Sequence, residues 1–241
     1  MPLIIAHRGA SAYAPENTLA AFALAHRQGA AMLELDVQST ADGQLAVFHD
    51  ATTERWDGRP RPVHACTMAE LARLDIRGER VPTLADVLAF AREVGIGLNL
   101  ELKVTGIAAA CAALIRHFGL EAQVLVSSFL PAALNEMRRC APALPRAYLM
   151  GLDTRRPDVR ARELWPFFAL QAVGATAWHP YHGLPLLDRV LPLVRQAGYQ
   201  VNVWTVDDPL RMQALLALGV NGLITNRPDV GRAVLERMLV P

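Results

Sequence analysis

Lysine is almost absent from this chain: of its 24 basic residues, arginine supplies all but Lys103. A lone lysine two positions after a glutamate, inside the apolar run GLNLELK, is not surface filler; it marks a place where a compact charge is needed. Net charge is missing too. A formal value of +1 excludes a nucleic-acid-binding face or a polybasic membrane patch. No apolar run reaches the roughly 18–20 residues of a membrane span. Cysteine is scarce, and Cys66, Cys111 and Cys140 are widely spaced with no CxxC pair. They read as reduced packing residues. The opening MPLIIAHRG has no charged leader region and no cleavage site, so the expectation is a cytoplasmic protein without a signal peptide.

What is abundant is apolar residues, 52% of 241. That is enough for one large barrel or two small domains, and it excludes disorder. Short β-rich runs alternate with longer amphipathic ones. Strands are expected at 3–7, 31–37, 97–103, 123–128, 146–150, 175–179, 200–206 and 222–226. Helices are expected at 17–28, 83–94, 106–118, 130–140, 158–170, 184–197, 208–218 and 228–238. Eight strands alternating with eight helices is the count of an α/β-class (β/α)8 barrel, with a doubly wound open sheet as the competitor. One run breaks the alternation. LAVFHD (45–50) follows LELDV too closely for a parallel return, so it must form an antiparallel hairpin turned at Asp42-Gly43. The segment 51–82 then reads as a small insertion at the barrel mouth with one helical stretch, 67–74, within a single barrel domain spanning 1–241.

Polar residues stand where these strands end: His7-Arg8-Gly9 after PLIIA, Glu34 and Asp36 in MLELDV, His49-Asp50 after LAVF, Glu101 and Lys103 in GLNLELK. A charge at the rim of a core needs a partner or a metal. Residues i and i+2 of a strand share a face, so Glu34 points with Asp36 and Glu101 with Lys103. In a barrel these four project at the C-terminal mouth. Three carboxylates crowded there repel one another unless one keeps its proton or a hard cation, Mg²⁺ or Ca²⁺, takes their oxygens. The competing reading pairs Glu34 with Arg8 and Glu101 with Lys103 as rim ion pairs, at a desolvation cost. His7 and His49 are the candidate proton-transfer pair. His26, His64 and His117 read as solvated, and His179 and His182 at most border the pocket. Arg8 offers a planar fork and Lys103 a point charge, both suited to phosphate oxygens. Glu16-Asn17-Thr18 reads as helix capping. Trp204 shares a face with Asn202 and is expected to wall the mouth, against the alternative of core packing.

In this order, His7-Arg8-Gly9, Pro15-Glu16-Asn17-Thr18, Glu34-Leu35-Asp36-Val37, Asp42-Gly43, His49-Asp50, Pro82-Thr83-Leu84, Glu101-Leu102-Lys103, Ser128-Phe129, Val203-Trp204-Thr205-Val206 and Thr225-Asn226-Arg227-Pro228 cover nearly the whole chain. The set resembles the glycerophosphodiester phosphodiesterases, and the short insertion resembles that of compact bacterial members. The resemblance implies a TIM-type barrel, metal ligands at Glu34, Asp36 and Glu101, acid–base histidines at His7 and His49, and phosphate contacts from Arg8 and Lys103. It implies metal-dependent hydrolysis of glycerophosphodiesters to sn-glycerol 3-phosphate and an alcohol. Two positions depart from the family pattern: Asp207 stands where Asn usually follows WTV, and Asn226 where Asp usually precedes Arg-Pro. Neither is expected to touch the core set, so they are expected to bear on substrate detail rather than on activity. The alternatives are a lysophospholipase D on the same core, a Schiff-base lyase using Lys103, and a non-catalytic phosphodiester-binding barrel. The expected partner is a small-molecule substrate, with no nucleic acid and no membrane span.

Overall fold

The computed structural model describes residues 1–151 and 156–239. Its strands are β1 (Leu3–Ala6), β2 (Met32–Ser39), β3 (Leu45–Val47), β4 (Gly97–Leu102), β5 (Val124–Ser128), β6 (Arg146–Met150), β7 (Ala177–Pro180), β8 (Gln200–Val203) and β9 (Gly222–Thr225). All but β3 run parallel and close into a ring of eight, with β1 hydrogen-bonded to both β2 and β9. With helices between the strands, this is a TIM-type (β/α)8 barrel. β3 lies outside the ring, antiparallel to β2 with Val37 opposite Val47. Its turn is at Asp42-Gly43 as expected: Gly43 sits at φ +75° and its N–H donates to the Thr40 carbonyl.

The two-residue period of the strands sorts the barrel wall. Leu33, Leu35 and Val37 of β2 and Leu98, Leu100 and Leu102 of β4 pack outward against Phe22, Leu88 and Ile115 of the surrounding helices. Their neighbours Glu34, Asp36, Asn99 and Glu101 therefore face inward. Met32, Leu125, Ala147 and Ala177 form an apolar cluster that supplies the barrel floor.

The helices start where the caps predict. Thr18 accepts from the Ala21 N–H, Thr83 forms a capping box with Asp86, and Asp208 accepts from the Arg211 N–H. One expected helix, 158–170, is two: Pro157–Leu164 and Phe167–Val173. Pro166 separates them, because proline cannot donate to the preceding turn. The stretch expected at 67–74 shortens to Met68–Leu71, and a further turn forms at Glu54–Asp57. Phe48, Val63, Cys66, Leu71, Ile76 and Val81 give segment 51–82 a small core of its own. Its cysteine and Cys111 are buried and unbonded, and burial pushes the Cys111 thiol up to about 12, as befits packing residues. Among the described residues no helix is long and apolar enough to cross a membrane.

Candidate active site

The strand ends converge on one cavity of about 150 Å³, lined by His7, Arg8, Glu34, His49, Asn99, Glu101, Lys103, Phe129, Leu149, Trp204 and Ile224. Asp36 lies at its edge, wholly buried between Arg8 and Lys103. The residues expected to act together are therefore together.

Glu34, Asp36 and Glu101 each offer an oxygen within 4.8 Å of the others, and all three are buried. Adjacent parallel strands make this inevitable, since Asp36 is in register with Glu101 and Glu34 with Asn99. Burial and the charges of Asp36 and Glu101 hold the Glu34 carboxyl well above the usual range. Burial and Asp36 push Glu101 up to about 7, against the pull of Lys103. Burial opposes the Asp36 charge as well, but Lys103 and Arg8 outweigh it and hold that carboxyl at about 2. The Lys103 Nζ lies 2.9 Å from Glu101 and 3.3 Å from Asp36, which explains why the single lysine is here.

The Arg8 side chain does not make the ion pair with Glu34 that the competing reading called for. Its guanidinium meets Glu16 at 3.1 Å and Asp36 at 3.2 Å, while its backbone N–H donates to Glu34 at 2.8 Å. Arg8 takes a left-handed φ of +55°, and the next residue must be glycine: at φ +85°, a Cβ on Gly9 would come within 2.7 Å of the Ala21 backbone. Asn17 is also left-handed, at φ +56°, and its amide donates to Asp36 Oδ2 at 2.8 Å. Only Thr18 of the Glu16-Asn17-Thr18 trio is the cap; Glu16 and Asn17 belong to the site. Their sequence signal, a polar trio before a helix, is the same for both roles.

His7 and His49 are both held at Nδ1. His7 pairs with Asn226 Oδ1 at 2.7 Å, and His49 with Asp50 Oδ1 at 2.9 Å. Arg55, from the insertion, braces Asp50 and also reaches Glu16. Burial and Arg8 lower His7 to about 4. Burial lowers His49 as well, with Asp36 opposing the shift and Arg8 and Lys103 adding to it. Asn226 thus contacts His7 directly, so the expectation that the two departures stay clear of the core set is corrected. The reason is topological: β9 returns beside β1, 219 residues away in sequence.

Trp204 walls the cavity, its indole N–H donating to the His179 carbonyl at 2.9 Å and its ring edge-on to Phe129 at 5.4 Å. His179 itself is fully buried with Asn202 and kept neutral by burial, at about 3, away from the cavity lining.

The carboxylate set fits a hard divalent cation: three buried oxygen donors, two of them unable to ionise comfortably without a positive charge. A cation must displace the proton that Glu101 holds below about 7, so its binding weakens as pH falls. We expect saturating Mg²⁺ or Ca²⁺ to raise the melting temperature by on the order of 5 °C at about pH 8 and by less than half as much at about pH 5.5. Equal shifts at both values, read by circular dichroism, would remove these carboxylates from the ligand set.

The model of the glycerophosphoryl diester phosphodiesterase family matches residues 7–230. The chain belongs to that family. Membership makes it an enzyme, a phosphoric diester hydrolase. A glycerophosphodiester phosphodiesterase of Caldanaerobacter subterraneus is 32% identical over 240 residues, covering 94% of this chain and 95% of the relative. The crystal structure of a glycerophosphodiester phosphodiesterase from Agrobacterium tumefaciens superposes with a TM-score of 0.80 at 30% identity, covering 97% of this chain and all of the other. A phosphodiesterase from Oleispira antarctica, solved in complex with the product sn-glycerol-3-phosphate, gives a TM-score of 0.83 at 27% identity, covering 98% of this chain and 97% of that one.

Proposed function

We propose that this phosphodiesterase hydrolyses glycerophosphodiesters to sn-glycerol 3-phosphate and an alcohol. Glu34, Asp36 and Glu101 would hold a divalent cation, Mg²⁺ or Ca²⁺, and His7 and His49 would move the protons. The observation that carries this reading is the convergence of three buried carboxylates, two cationic side chains and two imidazoles on one small cavity of a family member. The cation would supply charge neutralisation for the phosphate in the transition state. Arg8 and Lys103 line the same cavity and offer N–H donors to phosphate oxygens.

The two histidines have partners of different charge, and that separates their roles. His7 is kept neutral by burial and Arg8 and faces only the neutral amide of Asn226, which opposes that shift without reversing it, so His7 takes the proton of the attacking hydroxyl only as the reaction proceeds. His49 faces the Asp50 carboxylate, which together with Asp36 opposes the lowering of its pKa by burial and so supports the protonated ring that donates to the departing alcohol. The phosphodiester anion adds to that effect when it binds. Trp204, with Phe129, forms the apolar wall for the carbon skeleton of the substrate.

A second substrate class has an observation behind it. Beyond Trp204 an open groove of about 640 Å³ is lined by Gly151, Arg160, Tyr181, Gly183, Leu184 and Pro185, on the opposite side from the insertion. It has the dimensions for the chain of a lysophospholipid. The test is product analysis with glycerophosphocholine and lysophosphatidylcholine side by side. The reading expects sn-glycerol 3-phosphate from the first at a kcat/KM at least about tenfold above that for the second. Preference for the lysophospholipid would move the function to the lysophospholipase D class.

A further inference from the structure

Asp207 and Asn226, the two positions that depart from the family pattern, touch each other and end on His7. Asp207 Oδ1 accepts from the Asn226 backbone N–H and from the Thr225 hydroxyl, each at 2.8 Å, and its Oδ2 accepts from Asn226 Nδ2. A backbone N–H can only donate, so this carboxylate is the acceptor, and the Asn226 side chain must turn its NH2 towards it. The flipped amide would set a carbonyl oxygen against a carboxylate oxygen. With the NH2 fixed, Asn226 Oδ1 faces His7 Nδ1 at 2.7 Å and the Ser11 hydroxyl at 2.8 Å. A carbonyl oxygen can only accept, so the proton of a neutral His7 sits on Nδ1.

We propose that Asp207 and Asn226 are positioning residues for His7: the carboxylate orients the amide, and the amide holds the imidazole as its Nδ1–H tautomer, leaving the Nε2 lone pair for the proton it must take. The proposal rests on the base role assigned to His7 above. The exchanged pair, Asn at 207 and Asp at 226, again places one carboxylate against one amide. Either single exchange breaks the match. Asn226→Asp sets two carboxylates in contact, and in Asp207→Asn the new amide keeps its oxygen on the Asn226 backbone N–H and turns its NH2 to the Asn226 side chain, which then no longer holds its own oxygen on His7.

The experiment compares Asp207→Asn, Asn226→Asp and the double exchange with the starting protein. Kinetics on glycerophosphocholine are combined with ¹⁵N NMR of the His7 ring, assigned by its loss in His7→Gln. The starting protein is expected to show a protonated Nδ1 and a bare Nε2. Asp207→Asn should lose that single tautomer and about tenfold in kcat, and Asn226→Asp about thirtyfold, both with KM within about twofold. The double exchange should return kcat to within about fivefold of the starting protein. A proton on Nε2 in the starting protein overturns the proposal, as does a double exchange no more active than Asn226→Asp. If Asn226→Asp fails to fold, the tautomer in the starting protein and its fate in Asp207→Asn decide. The NMR result does not need turnover. A protein inactive on every phosphodiester, yet with an Nδ1–H tautomer that Asp207→Asn abolishes, sinks the proposed function and leaves the positioning pair standing.

Discussion

His49→Ala will lower kcat on glycerophosphocholine by about 10³-fold, and by less than about tenfold on the p-nitrophenyl ester of glycerol 3-phosphate. The contrast comes from the leaving group. An aliphatic alkoxide cannot depart without a proton at neutral pH, whereas p-nitrophenolate can. A variant lacking the proton donor is therefore crippled on the first substrate and nearly spared on the second. His7→Ala has no such escape, because the attacking hydroxyl must lose its proton whichever alcohol departs; it should lose about 10³-fold on both. Stability is a weak confounder in His49→Ala. The His49 side chain is 32% exposed, so its removal leaves little void, and the unfolding midpoint should barely move. If the activated ester spares His7→Ala instead, the acid and base roles are exchanged. If it spares neither, leaving-group protonation belongs to some other residue.

Glu101→Gln should abolish turnover by at least about 10³-fold while making the metal-free protein more stable. Glu101 is buried beside Asp36, and its folded value of about 7 lies above the ordinary 4.5. Its contribution to stability is therefore whole below about 4.5 and is lost as pH rises through 7. At about pH 8 the metal-free protein carries this repulsion, roughly 1–3 kcal/mol, and glutamine removes it while keeping the shape. Lys103 retains Asp36 as a partner in the variant. The same substitution deletes one oxygen anion from the cation site, so added Mg²⁺ or Ca²⁺ should no longer raise the melting temperature. Urea unfolding at pH 8, with and without cation, reads both effects. A metal-free variant less stable than the starting protein would mean that Glu101 serves the fold rather than a cation.

Much of this arrangement was legible in the sequence, and for definite reasons. The barrel follows from counting period-two apolar runs against amphipathic ones. The hairpin follows from the short span before LAVF, which no parallel crossover can bridge. Glu34, Asp36, Glu101 and Lys103 stood out because charge at the end of a buried strand has few explanations. What the sequence hid are residues whose meaning is set by contacts remote in the chain. Asn17 looks like a cap until its amide is seen on Asp36, 19 residues on. Arg55 looks like insertion surface until it is seen bracing Asp50 and Glu16. Asn226 and Asp207 look like separate substitutions until ring closure brings β9 beside β1, with Asn226 against His7 and Asp207 against Asn226. The split at Pro166 was visible as a proline, and the amphipathic period running through it masked the break.

Whether the three buried carboxylates serve turnover through a cation is read by following sn-glycerol 3-phosphate release from glycerophosphocholine after EDTA stripping, and again after Mg²⁺ or Ca²⁺ is restored. Release should fall to background on stripping, return with the cation in the starting protein, and fail to return in Glu101→Gln. Undiminished release from the stripped enzyme, with its fold intact by circular dichroism, would contradict a role for the cation.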